Sequence, residues 1–139
     1  MSCDPKIELI EGDLTGKIIN AFYQVYDGLG YGFLESVYRS ALALELASQG
    51  LVSVREAVAD VFYKGTKVGH FKADLIVEQR VVVEVKASKT IGEEDEKQVR
   101  NYLRATNLEV ALLLHFGPKA NFRRSVFENG RKITLVQRP

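Results

Sequence analysis

The chain has 139 residues, with 19 Lys plus Arg against 18 Asp plus Glu, long enough for one core without a metal staple and too balanced in charge to demand or exclude a nucleic-acid partner. Its single cysteine, Cys3, excludes an intrachain disulfide and a Cys-based zinc cluster. No apolar run approaches the ~20 residues that span a bilayer, and the opening MSCDPKIELI lacks the basic region and apolar core of a secretory signal, so a cytoplasmic protein with no membrane partner is expected.

One domain over residues 1–139 is expected, with 1–12 a peripheral N-terminal segment. From about Thr15 to Tyr26, apolar residues at Ile18, Ile19, Phe22, Val25 and Tyr26 have the spacing of a helix with one buried stripe, capped by Asp13 or Thr15. DGLGYG then interrupts, and Phe33 to about Ser48 form a second helix stopped by Gly50. Its apolar residues cover most of its circumference, yet Glu35 sits among Phe33, Leu34, Val37 and Tyr38.

Valine-rich segments near 52–63, 67–77 and 81–87 read as strands. Antiparallel pairing across the connection Glu78, Gln79 and Arg80 would set Asp74 opposite Glu84, and a slip of one residue would part their faces. A third helix runs from Glu93 to Thr106, its acidic first turn matched to the helix dipole and Arg104 to its last turn. LEVALLLHF is an apolar strand, Gly117 and Pro118 break it, and RRSVFENGRKITLVQR resembles a closing hairpin with ENGR at its turn. Helices on both sides of a strand set predict an α/β sheet covered on more than one face. Basic residues recur toward the C-terminus, at Arg100, Arg104, Lys119, Arg123, Arg124, Arg131, Lys132 and Arg138, a weak indication because such residues also solubilise ordinary surfaces.

Strand alternation places Glu84 and Lys86 on one face and Val83 and Val85 on the other, with Asp74 able to join the charged pair. Two carboxylates and a lysine suit a hard-metal, phosphoryl-transfer site: the oxygens hold Mg²⁺ or Mn²⁺, and the lysine stabilises developing charge or orients the attacking water. An isolated Glu-x-Lys is more often an ordinary surface ion pair. Here Val81, Val82, Val83 and Val85 surround the charges, and unpaired carboxylates in such a strand would carry a desolvation penalty that a metal offsets. Glu35 either supplies a further oxygen or orients water at that site, or is a half-exposed glutamate whose stem covers apolar surface. Tyr38, one turn on, can pack its ring while its hydroxyl reaches a polar boundary, and Gly32 shapes the helix entrance. Gln98 and Tyr102 are one turn apart, a core-edge pair by spacing or a nucleotide contact, while Lys72 either meets phosphate or neutralises the carboxylates. His70 and His115 are too few for a zinc site, and no glycine pattern has a Walker or dinucleotide context.

The segment Gly32-Phe33-Leu34-Glu35-Ser36-Val37-Tyr38, followed by Ala41-Leu42-Ala43-Leu44-Glu45-Leu46, resembles the GxxExxY proteins of the PD-(D/E)xK nuclease-like superfamily. The similarity continues through FYKGTKVGHFKADLIVEQRVVVEVKA and QVRNYLRATNLEVALLLHFG to the closing basic segment. The resemblance implies a restriction-endonuclease-like mixed β-sheet flanked by helices, with Asp74, Glu84 and Lys86 in the metal-dependent nuclease positions. It also implies that Glu35 is the helical acid before the core, and that Gln98 and Tyr102 form the later Gln-x-x-x-Tyr motif. Departures are Ala73 in place of the usual proline, Lys72 where relatives commonly carry Arg, and His115 where Asn is frequent; Lys keeps the charge but not the two-pronged guanidinium. The implied activity is Mg²⁺- or Mn²⁺-dependent hydrolysis of DNA or RNA phosphodiesters. The alternatives are a noncatalytic nucleic-acid-binding or assembly module and an interaction protein. A homodimer suits a chain of this size, although no residue pattern fixes its interface.

Overall fold

In the computed structural model, which describes residues 10–132, the first apolar stripe forms helix α1 (Gly12–Leu29) and buries Ile18, Ala21, Phe22 and Val25. The helix begins a turn earlier than its apolar spacing suggests, so neither expected cap acts as one. Asp13 lies in the first turn, and buried Thr15 donates its hydroxyl to the Gly12 carbonyl at 3.1 Å. Gly28 is absorbed into the helix, and the chain turns only at Gly30, where φ is 71°.

Helix α2 (Glu35–Ser48) starts two residues later than predicted. Gly32, at φ 119°, takes a backbone conformation that favours glycine. The Tyr38 hydroxyl donates to the Gly30 carbonyl at 2.5 Å and accepts the Phe33 N–H at 3.2 Å. That N–H is therefore satisfied from within the helix, and Glu35 is delivered in the first turn. The ring of Tyr38 is fully buried and stacks on Phe116 with centroids 4.3 Å apart. Only Tyr38, Leu42 and Leu46 of α2 are buried. Leu34 and Leu44 are three-quarters exposed, which corrects the impression of an all-round apolar helix.

Strands β1 (Ser53–Tyr63), β2 (Thr66–Val77) and β3 (Val81–Lys86) form an antiparallel meander. Helix α3 (Glu93–Ala105) then crosses over so that β4 (Val110–Phe116) lies parallel to β3, and β5 (Ala120–Val126) returns antiparallel to β4. The five strands stand in the order β1-β2-β3-β4-β5. Central β3 and β4 are covered on both faces and so read as continuous apolar runs rather than alternations. Helices α1 and α2 pack with Leu75, Val83, Val85, Leu112, Leu114 and Phe116. Val99, Tyr102 and Leu103 of α3 pack with Val82, Ala111 and Leu113 on the other face.

ENGR leads into a short 3-10 turn, Asn129–Arg131; the expected returning arm of that hairpin, like Cys3 and most of the N-terminal segment, lies outside the described residues. No helix among the described residues is long and apolar enough to cross a membrane. Tyr38→Phe keeps the ring stack but leaves the Gly30 and Phe33 backbone groups without their buried partner. It should lower unfolding free energy in urea by roughly 1–2 kcal/mol; an unchanged denaturation midpoint would show the hydroxyl to be dispensable.

Candidate active site

The register of β2 on β3 pairs Val77 with Val81, Ile76 with Val82 and Leu75 with Val83. Beyond that point the ladder gives way to side chains. The Asp74 N–H donates to Glu84 Oε1 at 2.8 Å, and the Val85 N–H donates to Asp74 Oδ2 at 2.8 Å. Asp74 and Glu84 are thus opposite one another, as the three-residue connection predicts. The strand is irregular here: Ala73 packs with the α3-side cluster and Leu75 with the α1/α2-side cluster, although residues two apart in a regular strand share a face. Across on β1, Glu56 lies between the paired residues Arg55 and Ala57 with φ 51°. Asp74 therefore sits where β2 changes face, within reach of both helical layers.

Burial is the main reason that the Glu84 carboxyl is pushed up to about 7. The negative charge of Asp74 pushes the same way and that of Glu35 adds to it, while the Asp74 N–H and the Lys86 ammonium pull it down. Lys86 projects to the α3 side with Glu84 and pairs with Asp95 in the first turn of α3, at 3.8 Å. Asp95 also accepts the Gly92 N–H at 3.0 Å, so the residue that starts the helix holds the lysine as well.

Glu35 and Asp74 come together through an intermediary whose four-residue spacing from Glu35 is legible in the sequence but whose reach to Asp74 is not. Arg39, one turn after Glu35, places Nη1 3.2 Å from Glu35 Oε1 and 3.7 Å from Asp74 Oδ1. On the opposite side, Lys72, Glu84, Gln98 and Tyr102 line one cleft of about 230 Å³ with Phe71 and Val99. Gln98 and Lys72 are exposed, and Lys72 pairs with Glu56 at 3.8 Å. Tyr102 is a buried floor residue whose hydroxyl donates to the Ala57 carbonyl at 3.1 Å, as its core-edge reading suggests. Burial and then the charge of Glu84 raise the Tyr102 phenol, which keeps it neutral.

His115 is a structural pin. Buried beside the end of β3, it lies 2.6 Å from the Ser88 carbonyl through Nε2 and 3.0 Å from the Asn121 amide through Nδ1. The carbonyl only accepts, so Nε2 carries the proton.

A divalent metal can be weighed against this donor set. Asp74 and Glu84 offer hard oxygens, and each has spent one oxygen on a backbone N–H, leaving Asp74 Oδ1 and Glu84 Oε2 for a cation. This chemistry fits Mg²⁺ or Mn²⁺. Among the described residues no three Asp, Glu, His or Cys side chains are already gathered into a metal-holding group. The fit therefore rests on the Asp74 and Glu84 pair, with Glu35 linked to it through Arg39.

The model of the PD-(D/E)XK nuclease superfamily matches residues 12–125, and the chain belongs to that superfamily. Among solved structures, SSO0001 is similar at a TM-score of 0.55 and 17% identity, over 90% of this chain and 64% of its own. The chain thus spans under two thirds of that protein's length. An alkaline exonuclease (LHK-Exo) from Laribacter hongkongensis is similar at a TM-score of 0.50 and 10% identity, over 88% of this chain and 74% of its own. At these identities the likeness is one of fold, a mixed five-stranded α/β sheet flanked by helices. A search of curated proteins finds no match.

The raised Glu84 carboxyl gives a pH dependence of definite sign. It titrates near 4.5 when unfolded and near 7 when folded, so the folded state holds the proton more tightly between those values. The stability that this group contributes is fully present below the unfolded value and is lost as pH rises through about 7. In metal-free buffer, the unfolding free energy of wild type relative to Glu84→Gln should fall by on the order of 2 kcal/mol between pH 5 and pH 8. A difference that stays constant across that range would count against burial of an ionisable carboxyl.

Proposed function

We propose that the chain is a metal-dependent nuclease of the GxxExxY group, hydrolysing nucleic-acid phosphodiester bonds, DNA or RNA, in the cytoplasm. The observation that carries this reading is the direct bonding of Asp74 and Glu84 across β2 and β3, with Lys86 two residues on along the same strand. Membership of the PD-(D/E)XK superfamily supports it, as does the alkaline exonuclease among the similar folds.

Asp74 and Glu84 would hold Mg²⁺ or Mn²⁺, with Glu35 as the third acid. When bound, the ion supplies Lewis-acid polarisation of the phosphodiester. The chain's own groups do the remaining work. Lys86, steadied by Asp95, stabilises charge developing on the phosphate or orients the attacking water. Lys72 and Gln98 meet the nucleic-acid backbone at the exposed rim of the cleft, and Tyr102 forms its floor.

A second reading, a noncatalytic nucleic-acid-binding or assembly module, is favoured by one observation: among the described residues the acids are not gathered into a ready metal-holding group. The two readings part in one experiment. With Mg²⁺ or Mn²⁺ at pH 8, purified protein should cleave at least one of linear or circular double-stranded DNA, single-stranded DNA and RNA. Glu84→Gln and Lys86→Ala should each reduce that rate by roughly 10²-fold or more while circular dichroism stays unchanged. No cleavage across the panel, with salt-sensitive binding intact, would establish the second reading instead. Sedimentation of the same samples reports whether the chain forms the homodimer expected from its size.

A further inference from the structure

Arg39 occupies the cation side of the acidic group. A single guanidinium nitrogen reaches both Glu35 Oε1, at 3.2 Å, and Asp74 Oδ1, at 3.7 Å. The Asp74 oxygen it faces is the one not committed to the Val85 N–H. That is the oxygen through which Asp74 can take an external cation.

The link is built to yield. The Arg39 side chain is 29% exposed and that of Glu35 37% exposed, so solvent competes for the pair and its net contribution is small. Glu35 precedes Arg39 by four residues on α2, the favourable order for an ion pair on a helix. The arginine can therefore fall back onto Glu35 when it leaves Asp74. A guanidinium brings one positive charge where a divalent cation brings two.

We propose that Arg39 is a positioning residue that holds Glu35 and Asp74 together in the metal-free protein and is displaced from Asp74 when a divalent cation binds. This rests on the metal-dependent reading above. In the metal-free state the guanidinium offsets the repulsion between carboxylates; once the cation arrives, the same charge opposes it. Arg39 therefore sets the concentration at which the site fills.

The test is direct binding of Mn²⁺ to the full chain at pH 8, followed by isothermal titration and by the loss of the free Mn²⁺ electron-paramagnetic signal. Arg39→Gln should bind Mn²⁺ about tenfold more tightly than wild type, the effect of removing one like charge a few ångströms from a divalent ion at a solvated site. Its metal-free melting temperature should fall, and its rise on adding Mn²⁺ should exceed that of wild type. Arg39→Lys, which keeps the charge, should bind within about twofold of wild type. A merely structural Arg39 would lower the metal-free melting temperature and leave Mn²⁺ affinity unchanged, which overturns the proposal. Weaker binding by Arg39→Gln, or equal tightening by Arg39→Lys, overturns it as well. Absence of Mn²⁺ binding in every protein would overturn the metal-dependent reading itself, whereas equal binding in all three removes only the role of Arg39.

Discussion

Where β2 and β3 part, two carboxylates take over from the backbone ladder. Asp74 gives its N–H to Glu84 and receives that of Val85 on its own side chain. This exchange satisfies two backbone donors that the end of regular pairing would otherwise leave without partners. It also brings an acid of β2 beside an acid of valine-rich β3. Burial and mutual repulsion then raise the Glu84 carboxyl, so the interaction that closes the sheet also creates the electrostatic demand that a cation can meet.

The two helical layers converge on this point from opposite faces. Residues of α2 arrive at Asp74 through Arg39, while α3 presents Asp95 to Lys86 and Gln98 to the cleft beside Glu84. Neither approach would be accurate if the helices were loosely seated. Tyr38 fastens the start of α2 by bonding the turn before it and stacking on Phe116 of β4. The glutamate and tyrosine of GFLESVY therefore have separate tasks, one facing the acids and the other fixing the helix that carries it. On the other layer, His115 ties β4 to the segment after Lys86 through the Ser88 carbonyl.

Much of the site was legible in the chain because strand geometry is regular over short distances. A three-residue link between β2 and β3 sets Asp74 against Glu84, and alternation puts Glu84 with Lys86 and away from Val83 and Val85. The contact of Arg39 with Asp74 is not legible in the sequence, although its spacing from Glu35 is, because spacing cannot tell whether an i,i+4 pair faces solvent or a third group. Along the chain Asp95 complements the helix dipole; its hold on Lys86 depends on how α3 lies across the sheet. The caps expected for α1 failed because the helix continues back to Gly12, where no apolar stripe marks it. The exposed leucines of α2 show the same limit, since apolar character does not say which face the sheet will cover.

The sequence by itself determined the order of helices and strands, the central valine-rich core, the opposition of Asp74 to Glu84 and the motifs of a nuclease-like chain. The first three follow from periodicity and short connections, which act between residues near one another along the chain, whereas the motifs rest on the resemblance carried by GFLESVY and the segments after it. Only the tertiary structure decided that β2 changes face at Asp74, that Arg39 stands between Glu35 and that aspartate, and that Tyr102 forms the buried floor of the cleft. Each of these depends on how elements distant in sequence pack together, and that packing is set by which surfaces the whole core can bury at once.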